Sequence, residues 1–186
     1  MGATAVGSGS YIDARIVGDA LDIQQKVIHG FNSSSDARLA LLRGDIFGMW
    51  SSLTSAMKGV RNAQEKIVLQ LGPHRHPSMP AIPATGEILD SLGGGTDGAK
   101  LVDIWHALNE VGRVIVAPPD VDESKLAFLR QVVESSVNDE EFVQLAAESR
   151  RDLAFLPSHE LQQLVESFAA LETDLRFELL SLARSE

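Results

Sequence analysis

The sequence of 186 residues contains no cysteine, which excludes disulfides, thiolate nucleophiles and cysteine metal ligands. It also lacks any run of 18 uninterrupted apolar residues, so no membrane-spanning helix is predicted. At the N-terminus, MGATAVGSGSYIDAR has no basic region followed by an apolar run, the pattern of an export signal. As written, the chain is therefore expected to stay in the cytoplasm.

Clusters of Lys and Arg are missing as well, and the charge is unevenly placed. Residues 1–119 hold 10 basic and 11 acidic side chains, whereas residues 120–186 hold 6 and 15. Such a chain would repel a phosphate backbone, which argues against nucleic-acid binding. The acidic surface of the tail is explained simply by the need to keep it in solution.

What the sequence does contain is an alternation of short apolar runs with helical patterns. The runs are Ala3–Val6, Lys26–Ile28, Ile46–Met49, Ile67–Leu71 and Arg113–Ala117. Helical patterns follow the first three of these runs, and two more lie between Thr85 and Val111. Strands separated by helices of about ten residues predict an α/β fold with a parallel or mixed sheet flanked by helices. The four prolines between Gly72 and Pro83 predict an ordered surface crossing.

After Pro119 the pattern changes to successive helices, so we predict an α/β domain at 1–119 and a helical segment at 120–186. Asp122, a capping box at Asn138 with Glu141, and Ser158 are the predicted helix starts. One apolar stripe at helical spacing runs through Leu161, Leu164, Phe168, Leu171, Leu175, Leu179 and Leu182. A stripe of this length needs a partner, and we predict a homodimer through the C-terminal helices.

Three predicted strand-to-helix junctions are rich in serine. Gly7, Ser8, Gly9, Ser10 and Tyr11 form the first, where glycines allow a close backbone approach and the N–H groups of the helix start suit an anion. No Lys or Arg accompanies this loop, which favours a carboxylate. The second junction holds Asn32, Ser33, Ser34 and Ser35, and the third holds Ser51 and Ser52. The alternative for each is a glycine turn or capping loop that binds nothing.

Metal binding and catalysis find little support in the sequence. His74 and His76 are separated by Arg75 and flanked by prolines, without an acidic residue nearby, so we predict no metal site and no cofactor. Ser8 or Ser10 would need a histidine base to act in a hydrolase, and no local pattern supplies one. We predict that the protein is not an enzyme, with a serine hydrolase as the remote alternative.

The order of several motifs resembles the tripartite tricarboxylate transporter receptor family of periplasmic solute-binding proteins. The resemblance rests on Gly2–Ser10, Leu39–Gly48, Val68–Gly72, Arg75–Pro77, Pro80–Pro83, Val116–Pro119, Leu129–Arg130 and Asn138–Phe142. The Gly30–Asp36 loop departs from the family pattern because it lacks a proline and a second glycine. The match implies a periplasmic-binding-protein-like second lobe with its C-terminal tail, without the first lobe and export signal.

The resemblance implies capture of a small carboxylate for a membrane permease, in the periplasm. It assigns the second-lobe share of the ligand site to residues 7–11, to residues 32–35, and to Ser51 and Ser52. The alternative is a self-associating remnant of such a receptor that has lost its ligand. In neither case do we expect an enzyme.

Overall fold

A computed structural model describes residues 1–112, 114–149, 151 and 153–184. These residues form nine α-helices: α1 Gly9–Ala20, α2 Ser34–Arg43, α3 Leu53–Arg61, α4 Thr85–Ser91, α5 Asp97–Glu110, α6 Glu123–Val137, α7 Glu140–Glu148, α8 Ser158–Ala169 and α9 Thr173–Leu182. The helical patterns predicted from the sequence correspond to these helices within a few residues. None of these described helices combines the length and apolar character needed to cross a membrane.

The predicted α/β fold is wrong, because the described residues form no sheet and are 54% helix against 3% strand. The apolar runs pair only through isolated parallel bridges, which join Gly2 to Ile28, Gly2 to Met49, and Gln70 to Ala84. The first extended segment is cut short by Gly7 at a φ of 74°, and the second by Gly30 at 101°. A periplasmic-binding-protein-like lobe with a sheet is therefore not what this chain forms. Part of the fifth predicted strand, Arg113, lies outside the described residues.

Residues 1–109 and 172–186 form the first of two compact units. Its core joins α1 to α4, α5 and α9, because Tyr11, Ile12 and Ile16 pack with Leu89, Leu101, Val102 and Leu182. α9 covers this core from the far end of the chain, with Leu175 and Leu179 packed against it. The predicted stripe is therefore not one continuous helix, since it is interrupted between α8 and α9.

The proline-rich crossing of the first unit is held by the buried side chain of Gln70. Its amide nitrogen donates to the carbonyls of Met79 and Ile82 at 3.0 and 2.7 Å, and its amide oxygen accepts from the His76 N–H at 2.9 Å. The prolines of this crossing cannot donate backbone hydrogen bonds, so the Gln70 side chain supplies the hydrogen bonds that hold it in place. The prediction of an ordered crossing is confirmed.

Residues 110–171 form the second compact unit, with α6 packed on α7. Of its described residues only Ala146 is buried, while Phe128, Leu129, Phe142 and Leu145 are exposed. Asp122 caps α6 as predicted, by accepting from the N–H groups of Ser124 and Lys125. The predicted cap at Asn138 is wrong, because Asp139 is the N-cap of α7, and Pro157 rather than Ser158 precedes α8. The domain division after Pro119 stays a prediction.

Candidate functional site

Three helix starts of the first unit are aligned by the two bridges at Gly2. Because Gly2 pairs in parallel with both Ile28 and Met49, three chain segments run side by side in one direction. The ladder includes N–H donation from Ala3 to Ile28 and from Gly2 to Gly48, both at 2.9 Å. Each segment then enters a helix, α1, α2 or α3. The positive ends of three helix dipoles consequently lie on one side of the unit.

A cleft of about 270 Å³ lies at these helix starts, and we call it the serine cleft. Its lining includes six serines: Ser8, Ser10, Ser34, Ser51, Ser52 and Ser55. Gly9, Thr4, Trp50 and Asp13 complete it. The described residues that line it include neither lysine, arginine nor histidine. Several of the serines are exposed, so the cleft is open to solvent.

The backbone of the cleft offers unused hydrogen-bond donors. The N–H groups of Gly9 and Ser10 in α1, and of Ser34 in α2, find no acceptor within the described part of the chain. Ser8, the N-cap of α1, makes no side-chain cap. Its hydroxyl interacts with Ala5 instead, donating to the carbonyl at 2.8 Å and accepting from the N–H at 3.5 Å. The N-cap of α3, Ser52, likewise makes no side-chain cap. Helix starts left uncapped in this way can bind an acceptor from solution.

The guanidinium group of Arg38 orients two of the serine hydroxyls of the cleft. This group donates to the Ser55 hydroxyl at 3.2 Å and to the Ser51 hydroxyl at 3.5 Å, and it also pairs with the Glu65 carboxylate. A hydroxyl oxygen that accepts from arginine keeps its own hydrogen for another acceptor. Arg38 thus directs the Ser55 hydroxyl to serve as a donor, although Arg38 itself lies outside the cleft lining.

Asp13 is the one ionisable side chain among the described residues that line the cleft. Its Oδ1 accepts a hydrogen bond from the indole Nε1–H of Trp105 at 2.7 Å, and the Asn109 side chain is a second hydrogen-bond partner. Burial raises the pKa of Asp13 from 3.8 to about 6, and the hydrogen bonds with Trp105 and Asn109 lower it in part. At neutral pH the cleft therefore contains one carboxylate beside the helix starts.

The structure brings together six of the residues predicted as ligand-binding. Ser8, Gly9, Ser10, Ser34, Ser51 and Ser52 line the serine cleft. Gly7, Asn32, Ser33 and Ser35 are not part of the lining. Ser33 instead caps α2 by accepting from the Asp36 N–H at 3.2 Å. Tyr11 belongs to the core and makes an edge contact with the ring of His29.

The residues of the cleft that sequence reasoning missed are Thr4, Asp13, Trp50 and Ser55. Two of them carried a usable signal. Asp13 follows Gly9 by four residues, and Ser55 follows Ser52, the N-cap of α3, by three, and residues at these spacings lie on one side of a helix. Thr4 and Trp50 lie in the extended segments before the helices, where nothing in the sequence indicates which side chains face the cleft.

A second cavity of about 620 Å³ lies beside α1 and the segment that follows it. Arg15 and Lys26 line it together with Asp19 and Asp22, so its charges are mixed. Most of its lining side chains are exposed. We favour the smaller serine cleft as the functional site, because its donors belong to the backbone and keep fixed positions.

Metal binding or nucleophilic catalysis would require clustered side chains with the right chemistry. The described residues contain no group of three His, Asp or Glu side chains that could hold a metal ion. His76 interacts with Ser78, whose hydroxyl lies 2.6 Å from the imidazole Nδ1. Ser8 and Ser10 lie 3.4 Å apart in a cleft whose lining contains no histidine. The prediction that the protein is not an enzyme stays a prediction.

Comparisons with protein families, with curated proteins and with solved structures found no match. The resemblance to tricarboxylate receptors therefore rests on the sequence motifs alone.

Proposed function

We propose that this protein binds a small carboxylate in the serine cleft. The observation that carries the proposal is the convergence of three helix starts, two of them without a side-chain cap, on one cleft. A carboxylate oxygen pair can accept from the free N–H groups of Gly9 and Ser10. The Ser55 hydroxyl, oriented by Arg38, adds a donor from α3.

The chemistry of the lining favours a carboxylate over a phosphate ester. A phosphate dianion is usually held by arginine or lysine, and neither occurs in the part of the cleft lining that the structure describes. Backbone N–H groups and hydroxyls suffice for a single negative charge shared by two oxygens. Because the cleft is open to water, we expect weak binding, on the order of millimolar, or about 4 kcal/mol.

A role as a transport receptor is the wider form of this proposal. It is supported by the motif resemblance, with a membrane permease as the predicted partner and the periplasm as the predicted location. The narrower statement, that the cleft binds carboxylate, can be tested on the purified chain.

The test is a pair of substitutions at Gly9, the first residue of α1. Gly9→Pro removes one N–H donor, yet proline is favoured at this helix position and Ser8 already has the extended backbone that a following proline needs. Gly9→Ala is the matched control, because it keeps the N–H and its Cβ would meet nothing within 4 Å.

Binding of propionate is followed by NMR chemical-shift titration of the backbone amides. We expect shifts concentrated at residues 9, 10 and 34, with affinity reduced about tenfold or more in Gly9→Pro and unchanged in Gly9→Ala. The absence of saturable shifts at these amides in the wild type would refute carboxylate binding at the serine cleft.

A further inference from the structure

The serine cleft contains a carboxylate of its own beside the donors proposed for a carboxylate guest. Asp13 lies one turn after Gly9 on α1, and both line the cleft. Side chains four residues apart share a helix face, and a helical side chain points back toward the N-terminus of its helix. Asp13 is thus on the same side of α1 as Gly9, and both residues line the cleft that the free N–H groups of Gly9 and Ser10 face.

The charges of the cleft nearly balance. The start of α2 already has an acidic residue, Asp36, in its first turn. A helix N-terminus carries roughly half a positive charge, so the uncapped starts of α1 and α3 together supply about one charge, which an ionised Asp13 offsets. A guest with two or three carboxylates would bring excess negative charge close to Asp13. A guest that carries one carboxylate and one cation leaves the cleft near neutrality.

Asp13 also keeps room for a further donor. An ionised carboxylate has about four acceptor positions, and the side chains of Trp105 and Asn109 use about two of them. Trp105 and Asn109 hold Asp13 from α5, and both are uncharged. Among the described residues that line the cleft, none has a cationic side chain that would satisfy the remaining positions.

We propose that the guest of the serine cleft is a small aminocarboxylate, whose carboxylate accepts from the N–H groups at the helix starts and whose ammonium group donates to Asp13. This inference rests on the proposed carboxylate site and narrows its substrate class. It excludes citrate and similar polycarboxylates as preferred guests.

The experiment compares three ligands of the same carbon skeleton: propionate, L-lactate and L-alanine. Each is titrated at pH 7.5, where Asp13 is ionised, by the NMR shifts of the amides of residues 9, 10 and 34. We expect L-alanine to bind about tenfold more tightly than propionate or L-lactate, because a charged hydrogen bond to Asp13 is added.

Asp13→Asn separates recognition from structure, because the asparagine oxygen can still accept from Trp105. We expect this variant to bind L-alanine about tenfold less tightly. It should bind propionate more tightly than the wild type does, because the repulsion between the Asp13 carboxylate and the propionate carboxylate is removed. If Asp13 had only a structural role, the substitution would weaken the binding of both L-alanine and propionate.

The outcomes distinguish the two proposals. Equal affinity of the wild type for propionate, L-lactate and L-alanine would overturn the aminocarboxylate proposal and leave carboxylate binding standing. An equal loss of affinity for L-alanine and for propionate in Asp13→Asn would overturn the aminocarboxylate proposal as well. If none of the three ligands binds, carboxylate binding itself is refuted, and the aminocarboxylate proposal fails with it.

Discussion

Trp105 donates its indole N–H to Oδ1 of Asp13 at 2.7 Å, which joins α5 to α1 at the edge of the serine cleft. The bond fixes a carboxyl group that is largely withdrawn from water. Burial is the dominant influence on its pKa, which rises to about 6 despite the hydrogen bonds with Trp105 and Asn109. The first unit therefore holds an acid that the unfolded chain would ionise about two pH units earlier.

We predict that Asp13 makes the protein less stable as the pH rises from about 4 to 6. Below pH 3.8 the group is protonated in both states, so burial carries no electrostatic penalty. Between 3.8 and about 6 the folded state retains a proton that the unfolded state has lost, and stability falls by up to about 3 kcal/mol. Urea unfolding of the wild type and Asp13→Asn at pH 4 and pH 7.5 checks this. The variant should gain relative stability at the higher pH, and parallel behaviour would contradict the prediction.

Arg38→Met should destabilise the protein by about 3 kcal/mol or more, because it leaves the Glu65 carboxylate half-buried without its partner. The side chains of Arg38 and Glu65 are 20% and 10% exposed. The double variant Arg38→Met with Glu65→Gln should recover a large part of that loss. Thermal unfolding of the wild type, the two single variants and the double variant measures the coupling. Additive losses would show that Arg38 and Glu65 do not interact.

Gly7→Ala should lower stability by about 1–2 kcal/mol, because Gly7 has a φ of 74° that other residues adopt only with strain. An added Cβ would also lie 3.0 Å from the carbonyl oxygen of Ala183, beside the end of α9. Gly9→Ala is the control two residues away, with open space and helical backbone. Denaturant unfolding should show a loss only at Gly7. Similar curves for the two variants would argue against strain at that position.

Leu179→Asp and Leu164→Asp should have different effects. Leu179 packs against the core of the first unit, so a charge there should cost about 2 kcal/mol of stability or more. Leu164 lies on α8, which has no buried residues, and is left available for the predicted homodimer. Sedimentation equilibrium should show a wild-type dimer that Leu164→Asp converts to monomer with little change in unfolding midpoint. A wild type that stays monomeric at high concentration would refute the dimer.

Much of the helical structure could be predicted from the sequence, because apolar spacing and caps are local signals. Asp122 precedes α6, and its carboxylate accepts the N–H groups that the pattern indicates. The sheet could not be predicted correctly, since a run such as Ala3–Val6 has strand composition whether or not its neighbours pair along its length. Here Gly7 and Gly30 turn the chain away after a single bridge.

The cleft was nevertheless predictable in part. A single parallel bridge on each side of Gly2 is enough to align the starts of α1, α2 and α3, so the serines at those junctions meet without a sheet. Asp13 could not be predicted as a site residue, because it lies within an apolar helical stretch where no neighbouring residue indicates a role for a single carboxyl group. Its importance depends on Trp105, which is 92 residues away in the chain.

α9 has a consequence for the order in which this chain can fold. It completes the core around Tyr11 and Ile16 with Leu182, and a hydrogen bond from the Tyr11 hydroxyl reaches the Arg184 carbonyl across 173 positions. Contacts between residues so far apart in the sequence form late, because closing a long loop costs conformational entropy before the contacts can stabilise the chain. During synthesis, the first 109 residues would thus wait with an apolar surface uncovered until α9 has been made. An uncovered apolar surface of this kind is the feature that chaperones bind. The second unit, residues 110–171, is synthesised before α9 and can fold first.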